Sequence, residues 1–361
     1  MIKNIQSVAV MYHGRKVGTL SMGSRSVCLF EYDKSWLTDG FSISPLKLPL
    51  KAGLFTADYM PFNGNFGIFE DSLPGGYGEY LLRKTLTKAG VDCKGLTPVQ
   101  WLSIVGCSGM GALCYVPETK IIEEKSQLTL DEMQQTALDV LSEKADTHAD
   151  ELYFRSGNSG GVRPKCLYTD EDGHWLVKFR HTYDPRNIGE IEYRYNEMAR
   201  RCGVDVPDFK LIEGKYFATR RFDIEDGVRL HVATASGLLN EPISPPKMDY
   251  YSLLQLTGFL TQSAEAVEQQ FRRMAFNVYA KNHDDHARNF SFICREGKWK
   301  LAPAYDLTND DTLGEHASTI NYKGTPTDED LIAVGTSIRM TRLRCQEIIG
   351  EVKSCYCRQK P

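Results

Sequence analysis

No apolar run in the chain approaches the ~20 residues that a membrane-spanning helix needs. There is also no Lys/Arg-rich tract, no CxxC pair, no internal repeat and no low-complexity stretch among its 361 residues. Each absence excludes a class. The first removes a helical membrane protein. The second, with a net charge of −4 and a pI near 6.1, argues against direct nucleic-acid binding. Ten scattered cysteines without close pairing read as reduced core residues of a cytoplasmic protein, not as a disulfide framework or a zinc site. The N-terminus, MIKNIQSVAVMYHGRKVG, has a broken apolar stretch and no small-residue cleavage site, so it is not expected to be a secretory signal.

What is present is the balance of a globular protein, 42% hydrophobic and 25% charged, in a chain long enough for two or three packed subdomains. Residues 1 to about 115 read mostly as strands: VAVMY and HGRKVGTLSM as a hairpin, then VCLFEY, then the Pro-punctuated ISPLKLPL. A short helix, GEYLLRKTL, is expected after the turn LPGG. From about 117 to 150 the chain is polar and weakly helical, with the character of a surface connector. CLYTDEDGHWLVKF places two strand-like runs around Asp-Gly, a hairpin signal. An amphipathic helix follows, with Ile191, Tyr195, Met198, Ala199 and Cys202 at helical spacing, stopping near Gly203. KLIEGKYFATRRFD reads as another hairpin. Beyond about 247 the chain turns helical, first in DYYSLLQLTGFL and then with Val267, Phe271, Met274, Ala275 and Val278 on one face.

The chemistry concentrates in AKNHDDHARNFSFICREGKWKLAPAYDLT. Asp284 and Asn289 stand five apart where a helix gives way to a strand, the spacing at which kinase catalytic loops set an Asp base and a metal-binding Asn. NFSFIC and KWKLAPAY read as hairpin arms, with Asn289 eight residues before Gly297 and Asp306 nine after it. That hairpin would bring together two oxygen ligands suited to Mg²⁺. Taken alone, NHDDHARN is commoner as a turn. Upstream, SGNSGGVRPK lies between strands, and its glycines would let backbone N–H groups approach phosphate oxygens. It lacks the G-K-[ST] ending of a P-loop, and by itself it is an ordinary glycine turn. Lys178 lies in WLVKF, where a lone Lys usually marks a solvated face but in a kinase holds phosphates. Glu192 opens the next helix, either as the kinase partner of Lys178 or as a carboxylate favouring a helix N-terminus. The order glycine loop, strand Lys, helix Glu, Asp, Asn, Asp is one that chance seldom assembles.

These segments resemble the HipA toxin kinases along nearly the whole chain. FGIFEDSLPGGYGEYLL and TPVQWLSIVGCSGMGALCYVPE are similar to the HipA N-terminal subdomain. GGVRPK, WLVKF, EYRYNEMARRCGVDVP, YFATRRFD, DDHARNFSF and LAPAYD are similar to successive motifs of its kinase core. The resemblance implies an α+β, two-lobed protein-kinase-like fold with an extra β-rich N-terminal subdomain and a helical C-lobe. The expected divisions are 1–116 for the N-terminal subdomain, 117–225 for the kinase N-lobe and 226–361 for the C-lobe. It implies ATP and Mg²⁺, with Asp284 accepting the substrate hydroxyl proton and Asn289 and Asp306 on the metal. Gly160, Gly161, Val162, Arg163, Pro164 and Lys165 would cover the ATP phosphates, and Lys178, supported by Glu192, would hold them. Arg220, Arg221 and Phe222 would form the hinge against adenine, mainly through backbone. His286, Ala287, Arg288 and Tyr305 would complete the nucleotide site.

The resemblance further implies serine/threonine phosphorylation of a protein, typically an aminoacyl-tRNA synthetase, and a helix-turn-helix HipB-like antitoxin as partner. The chain departs from the family pattern at three positions. Asn158 stands where a Ser is often autophosphorylated, which leaves Ser159 and Ser156 as the nearby hydroxyls. Arg163 stands where Gln is common, and Asp285 where Gly is common. A small-molecule kinase would use the same Asp, Asn, Asp and Lys. A pseudokinase scaffold would not turn ATP over, and the intact set argues against it.

Overall fold

The structure, a computed structural model, describes residues 4–120, 128–144, 150, 152–153, 161, 163–310, 312 and 314–359. It begins with a five-stranded antiparallel sheet ordered β4-β3-β2-β1-β5. Its strands are β1 (Ser7–Tyr12), β2 (Arg15–Met22), β3 (Cys28–Tyr32), β4 (Leu54–Thr56) and β5 (Leu113–Val116). His13 and Gly14, at φ 45° and 77°, make the two-residue turn whose twist suits the expected β1–β2 hairpin. Helices α1 (Lys34–Asp39), α2 (Gly67–Glu70), α3 (Tyr77–Lys88) and α4 (Pro98–Val105) lie in the connections, α3 being the helix expected after the Pro-Gly-Gly turn.

Two expectations need correcting here. Cys107 and Cys114 form a disulfide, contrary to ten reduced thiols. The chain turns back through Gly111 (φ 74°) and sets the two Cα atoms 4.4 Å apart, a proximity that a separation of seven residues does not reveal. The polar stretch 117–150 is also more than a surface connector. It contains α5 (Leu130–Leu141), started by a reciprocal Thr129–Glu132 capping box. One face of α5, Leu130, Met133, Ala137 and Val140, is buried, and the charged residues between those positions disguised it.

A second antiparallel sheet, ordered β6-β7-β9-β8, contains β6 (Lys165–Asp170), β7 (Gly173–Lys178), β8 (Phe209–Ile212) and β9 (Tyr216–Arg220), with α6 (Ile188–Arg201) between β7 and β8. The short pair β10 (Ile224–Glu225) and β11 (Val228–Arg229) leads to a three-stranded sheet of β12 (His231–Thr234), β13 (Ser291–Arg295) and β14 (Lys298–Leu301). Glu296 and Gly297, both at positive φ, turn β13 into β14 as the hairpin pattern predicts. The helices are α7 (Ala235–Leu239), α8 (Tyr250–Thr261), α9 (Ala264–Ala280), α10 (Asp328–Ser337) and α11 (Arg342–Gln359). Asp249 and Ser263 cap α8 and α9 through their side chains. Among the described residues no helix is long and apolar enough to cross a membrane.

The apolar residues gather into two cores. One joins the N-terminal sheet (Val8, Val10, Phe30) to α8 and α9 (Leu253, Phe271, Phe276) and to Phe292 of β13. The other joins α3 and α5 (Leu81, Met133, Val140) to the second sheet (Cys166, Trp175, Val177). The first 116 residues therefore contribute to both, because α3 and Ile104 of α4 pack against the second sheet.

Candidate active site

Side chains alternate across a strand. In β7, Trp175 and Val177 enter the second core, so Leu176 and Lys178 face the opposite way, into a cleft. Lys178 Nζ sits 2.7 Å from Glu192 Oε2, an ionic contact off the hydrogen-bond direction, and donates a short hydrogen bond to Asp306 Oδ1. The three side chains come from a strand, a helix and a loop far apart in the chain, and Glu192 is fully buried. Burial alone would lower the Lys178 pKa. The carboxylates of Asp306 and Glu192 outweigh it and hold the ammonium above its ordinary range. For Asp306 burial pushes upward, but Lys178 and Lys165 prevail and hold the carboxyl well below the usual range. Lys165, also buried, is shifted down, chiefly by burial and by its neighbour Lys178, against the pull of Asp306. The Asp306 backbone is left-handed, with φ 52°, a conformation that Asp tolerates better than most residues.

The segment bearing Asp284 and Asn289 leaves α9 through Lys281, the left-handed C-cap. Asn282 Nδ2 donates to the Asp306 carbonyl (2.9 Å) and to Asn277 Oδ1 (3.1 Å), which ties the loop to the start of the Asp306 segment. Asn289 Nδ2 donates to the Asp284 carbonyl at 2.7 Å, so the five-residue spacing closes on itself and the Asn Oδ1 is left as an acceptor. The Asp284 carboxylate is half-exposed and lies 3.8 Å from His286 Nε2. Partial burial raises its pKa; His286 opposes this, while Asp306, Asp310 and Asp285 add to it. A carboxyl shifted upward in this way is better matched to take a proton.

The cleft is a cavity of about 390 Å³. Of the sequence-predicted residues it is lined by Gly161, Lys165, Lys178, Arg220, Arg221, Phe222, His286, Arg288, Asn289, Tyr305 and Asp306. Phe222 and Tyr305 stack with centroids 5.7 Å apart and 27° between planes. The Tyr305 hydroxyl donates to the Arg288 carbonyl (2.6 Å) and meets Ser291 Oγ (2.6 Å). The guanidinium groups of the hinge arginines are turned aside: Arg220 over Trp175 at 5.0 Å, Arg221 onto Asp223 at 2.6 Å. Five predicted residues do not line the cavity. Glu192 stands behind Lys178 and Asp284 stands beside His286. Arg163 is turned to Asp184, 3.0 Å away. Pro164 is buried and gives its carbonyl to Phe179 N–H. Ala287 is buried in the first core. The side chains of Arg163, Pro164 and Ala287 are thus engaged elsewhere: a loop motif marks a segment, and packing decides which of its side chains turn inward. Gly160, Val162, Asn158, Ser159 and Ser156 lie outside the described residues.

One whole wall escaped the sequence reading. Asp71, Ser72, Leu73, Gly75 and Gly76, with Met110, Ala112 and Leu113, bring the N-terminal subdomain to the cavity. Tyr77 N–H donates to the Gly161 carbonyl (3.0 Å), linking the Pro-Gly-Gly turn to the glycine loop. Arg288 Nη2 donates to the Glu70 carbonyl (3.0 Å), and a Cβ on Gly75 would stand 2.6 Å from Arg288 Nη1. The only local signals were the glycines of LPGG and GMGA.

Comparison with known proteins bears on the family and the fold. The profile of the HipA-like C-terminal domain matches residues 157–358, and that of the HipA N-terminal domain matches residues 8–116. A protein of Sinorhizobium fredii named as a kinase is 26% identical over 174 residues, 42% of this chain and 42% of its own. One of Haemophilus influenzae, also named as a kinase, is 30% identical over 141 residues, 34% of this chain and 41% of its own. The matched stretch thus spans about two fifths of each of these relatives. HipA of Shewanella oneidensis, solved with HipB and operator DNA, superposes with a TM-score of 0.73 at 18% identity, covering 98% of this chain and 89% of that one. This last likeness is one of fold: a mixed α/β chain with a β-rich N-terminal region and a helical C-terminal part.

Proposed function

The chain belongs to the HipA family, and from that premise we propose that it is a protein kinase transferring the γ-phosphate of ATP to serine or threonine. The observation that carries this reading is the bridge of Lys178 to Glu192 and Asp306, set beside the loop closed by Asn289 on Asp284. Phosphoryl transfer needs positioning and charge stabilisation more than covalent chemistry, and this set supplies both. Lys178 would meet the phosphates. Phe222 and Tyr305 offer flat faces for the adenine. Asn289 Oδ1 and the Asp306 carboxylate fit Mg²⁺, an ion commonly held by one or two protein oxygens together with phosphates and water. Bound there, it would neutralise phosphate charge. Asp284 would take the proton of the acceptor hydroxyl.

The protein substrate we propose is an aminoacyl-tRNA synthetase, and the partner a helix-turn-helix protein of the HipB kind. The solved relative assembled with HipB supports the second. The test is transfer of radiolabelled γ-phosphate from ATP to phosphoserine or phosphothreonine in proteins of a bacterial extract. Asp284→Asn is expected to lower the rate by on the order of 10²–10⁴ while ATP binding is kept. Labelling at the wild-type rate in that variant would remove Asp284 from the role.

A further inference from the structure

The residue next to Asp284 is unlike it in every respect. Asp285 is buried, at 1% exposure, and its acceptors are fully engaged. Its carboxylate accepts from Tyr250 Oη (2.8 Å), His316 Nδ1 (2.9 Å) and the Ser318 backbone N–H (3.2 Å). Its carbonyl accepts from Ser318 Oγ (2.5 Å). The adjoining His283 carbonyl accepts from Ala317 N–H at 2.8 Å. The network continues the other way. Tyr250 Oη accepts from Asn277 Nδ2 (2.9 Å), Asn277 Oδ1 from Asn282 Nδ2, and Asn282 Nδ2 also reaches the Asp306 carbonyl. One continuous set of hydrogen bonds thus runs from the backbone of Asp306 to the residue after Asp284, and on to the segment that follows Asp306.

That segment is pinned at two further points. Asp249 accepts from Thr319 Oγ1 (2.7 Å) and from Tyr322 N–H (2.9 Å). Asp330 accepts from Asn321 Nδ2 (2.8 Å) and Lys323 Nζ (2.7 Å). Asn321 and Tyr322 are left-handed (φ 53° and 63°), and the Tyr322 side chain is presented to solvent, at 84% exposure. A β-branched or bulky residue held at positive φ persists only where its surroundings over-determine it. Here Asp249 and Asp330 do so, and Asp285 holds the residues just before Asn321 and Tyr322. Asp249 and Asp330 also cap helices, so they have work within their own elements. Asp285 caps nothing, and its side chain joins the catalytic loop to residues 316–318.

We propose that Asp285 is a positioning residue for phosphoryl transfer: it holds Asp284 in place by locking the catalytic loop to the segment 316–323. This rests on the kinase reading above and deepens it. A side chain that misplaces a reacting group by about 1 Å can cost on the order of 10² in rate, and beside the Asn282 and Asn289 bonds and the His283 carbonyl, Asp285 is the side chain that joins this loop to residues 316–318. Asp285→Asn keeps the shape but sets an NH₂ group either against the Ser318 N–H or against the Tyr250 and His316 donors.

The test measures the initial rate of label transfer from radiolabelled ATP to extract protein as ATP is varied, together with hydrogen exchange of the full chain. For Asp285→Asn and His316→Leu the expected result is a kcat fall of about tenfold to 10², a KM for ATP within about twofold of wild type, and faster exchange at Ala317 and Ser318. His316→Asn, whose Nδ2 can donate where the imidazole Nδ1 did, is expected to stay near wild type. An unchanged kcat in Asp285→Asn and His316→Leu overturns the inference. So does a loss of nucleotide binding in step with kcat, which would mean a general structural role. If the wild type itself transfers no phosphate, the kinase reading fails first and this inference falls with it.

Discussion

The two walls of the cleft are built on different cores, and the comparison shows what each contributes. The wall bearing Lys178 rests on the second core, where Val177 and Phe179 flank it and α3 and α5 lie behind. The wall bearing Asn289 and Asp306 rests on the first, through Ala287, Phe290, Ala304 and Leu307, and shares that core with the N-terminal sheet. Apolar contact does not have to join the two walls at the site, because opposite charge does: Lys178 from one meets Asp306 from the other. The N-terminal sheet is accordingly part of the half that bears Asp284 and Asn289, while α3 and Ile104 of α4 pack with the second sheet.

The largest expected effect follows from cutting that charge link. Lys178→Met leaves Glu192 buried without its ion-pair partner and Asp306 with Lys165 alone, at a cost of about 3–5 kcal/mol in urea unfolding. Lys178→Met with Glu192→Gln should recover part of it, since the unpaired buried charge is then removed. The pH dependence has a defined sign. Asp306 is depressed, so its contribution is present above the ordinary carboxylate pKa and is lost as pH falls through the folded value. Lys178 is raised, so its contribution is present below the ordinary lysine pKa and is lost as pH rises through the folded value. Urea unfolding of the wild type should therefore show no loss of this pair's contribution between about pH 5 and 9.

A smaller effect separates the cores. Met133→Ala, deep in the second core, should cost roughly 2–5 kcal/mol and speed amide exchange in β6 and β7 more than in α8 and α9. Equal acceleration in both would mean that the cores open as one. Thr129→Ala removes the capping box of α5 and should cost about 1 kcal/mol, confined to the same half. The smallest effect carries the opposite sign. Asp284 has a raised pKa, so the folded state prefers it protonated. Its ionised form weakens the fold as pH rises through the folded value and has no such effect below the ordinary carboxylate range. Asp284→Asn should thus melt slightly higher than wild type at neutral pH while losing activity, the trade expected of a working carboxylate.

Local chemistry was legible from the residues alone. The β1–β2, β6–β7, β8–β9 and β13–β14 hairpins each have turn residues that fit the observed register, and α9 shows its buried face at helical spacing. Helix α6, by contrast, buries Glu192 and Asn196 with Met198 and Ala199 and leaves Ile191 and Tyr195 half-buried. The order Lys178, Glu192, Asp284, Asn289, Asp306 was visible because each residue sits at a strand, helix or loop position that the pattern locates. Period and turn chemistry act over a few residues, and that is the range within which such patterns are informative.

What only the tertiary structure decided lies beyond that range. Asp284 and Asp285 are the same residue type side by side, yet one is half-exposed with a raised pKa and the other is buried under Tyr250, His316 and Ser318. Arg163 pairs with Asp184 instead of lining the cavity, Cys107 meets Cys114, and Asp71 to Gly76 wall a cavity whose other side begins nearly 90 residues later, at Gly161. In each case the outcome depends on which distant groups share a desolvated space. Burial sets the free energy of a charge or hydrogen bond there, and the sequence names the groups without saying which of them meet.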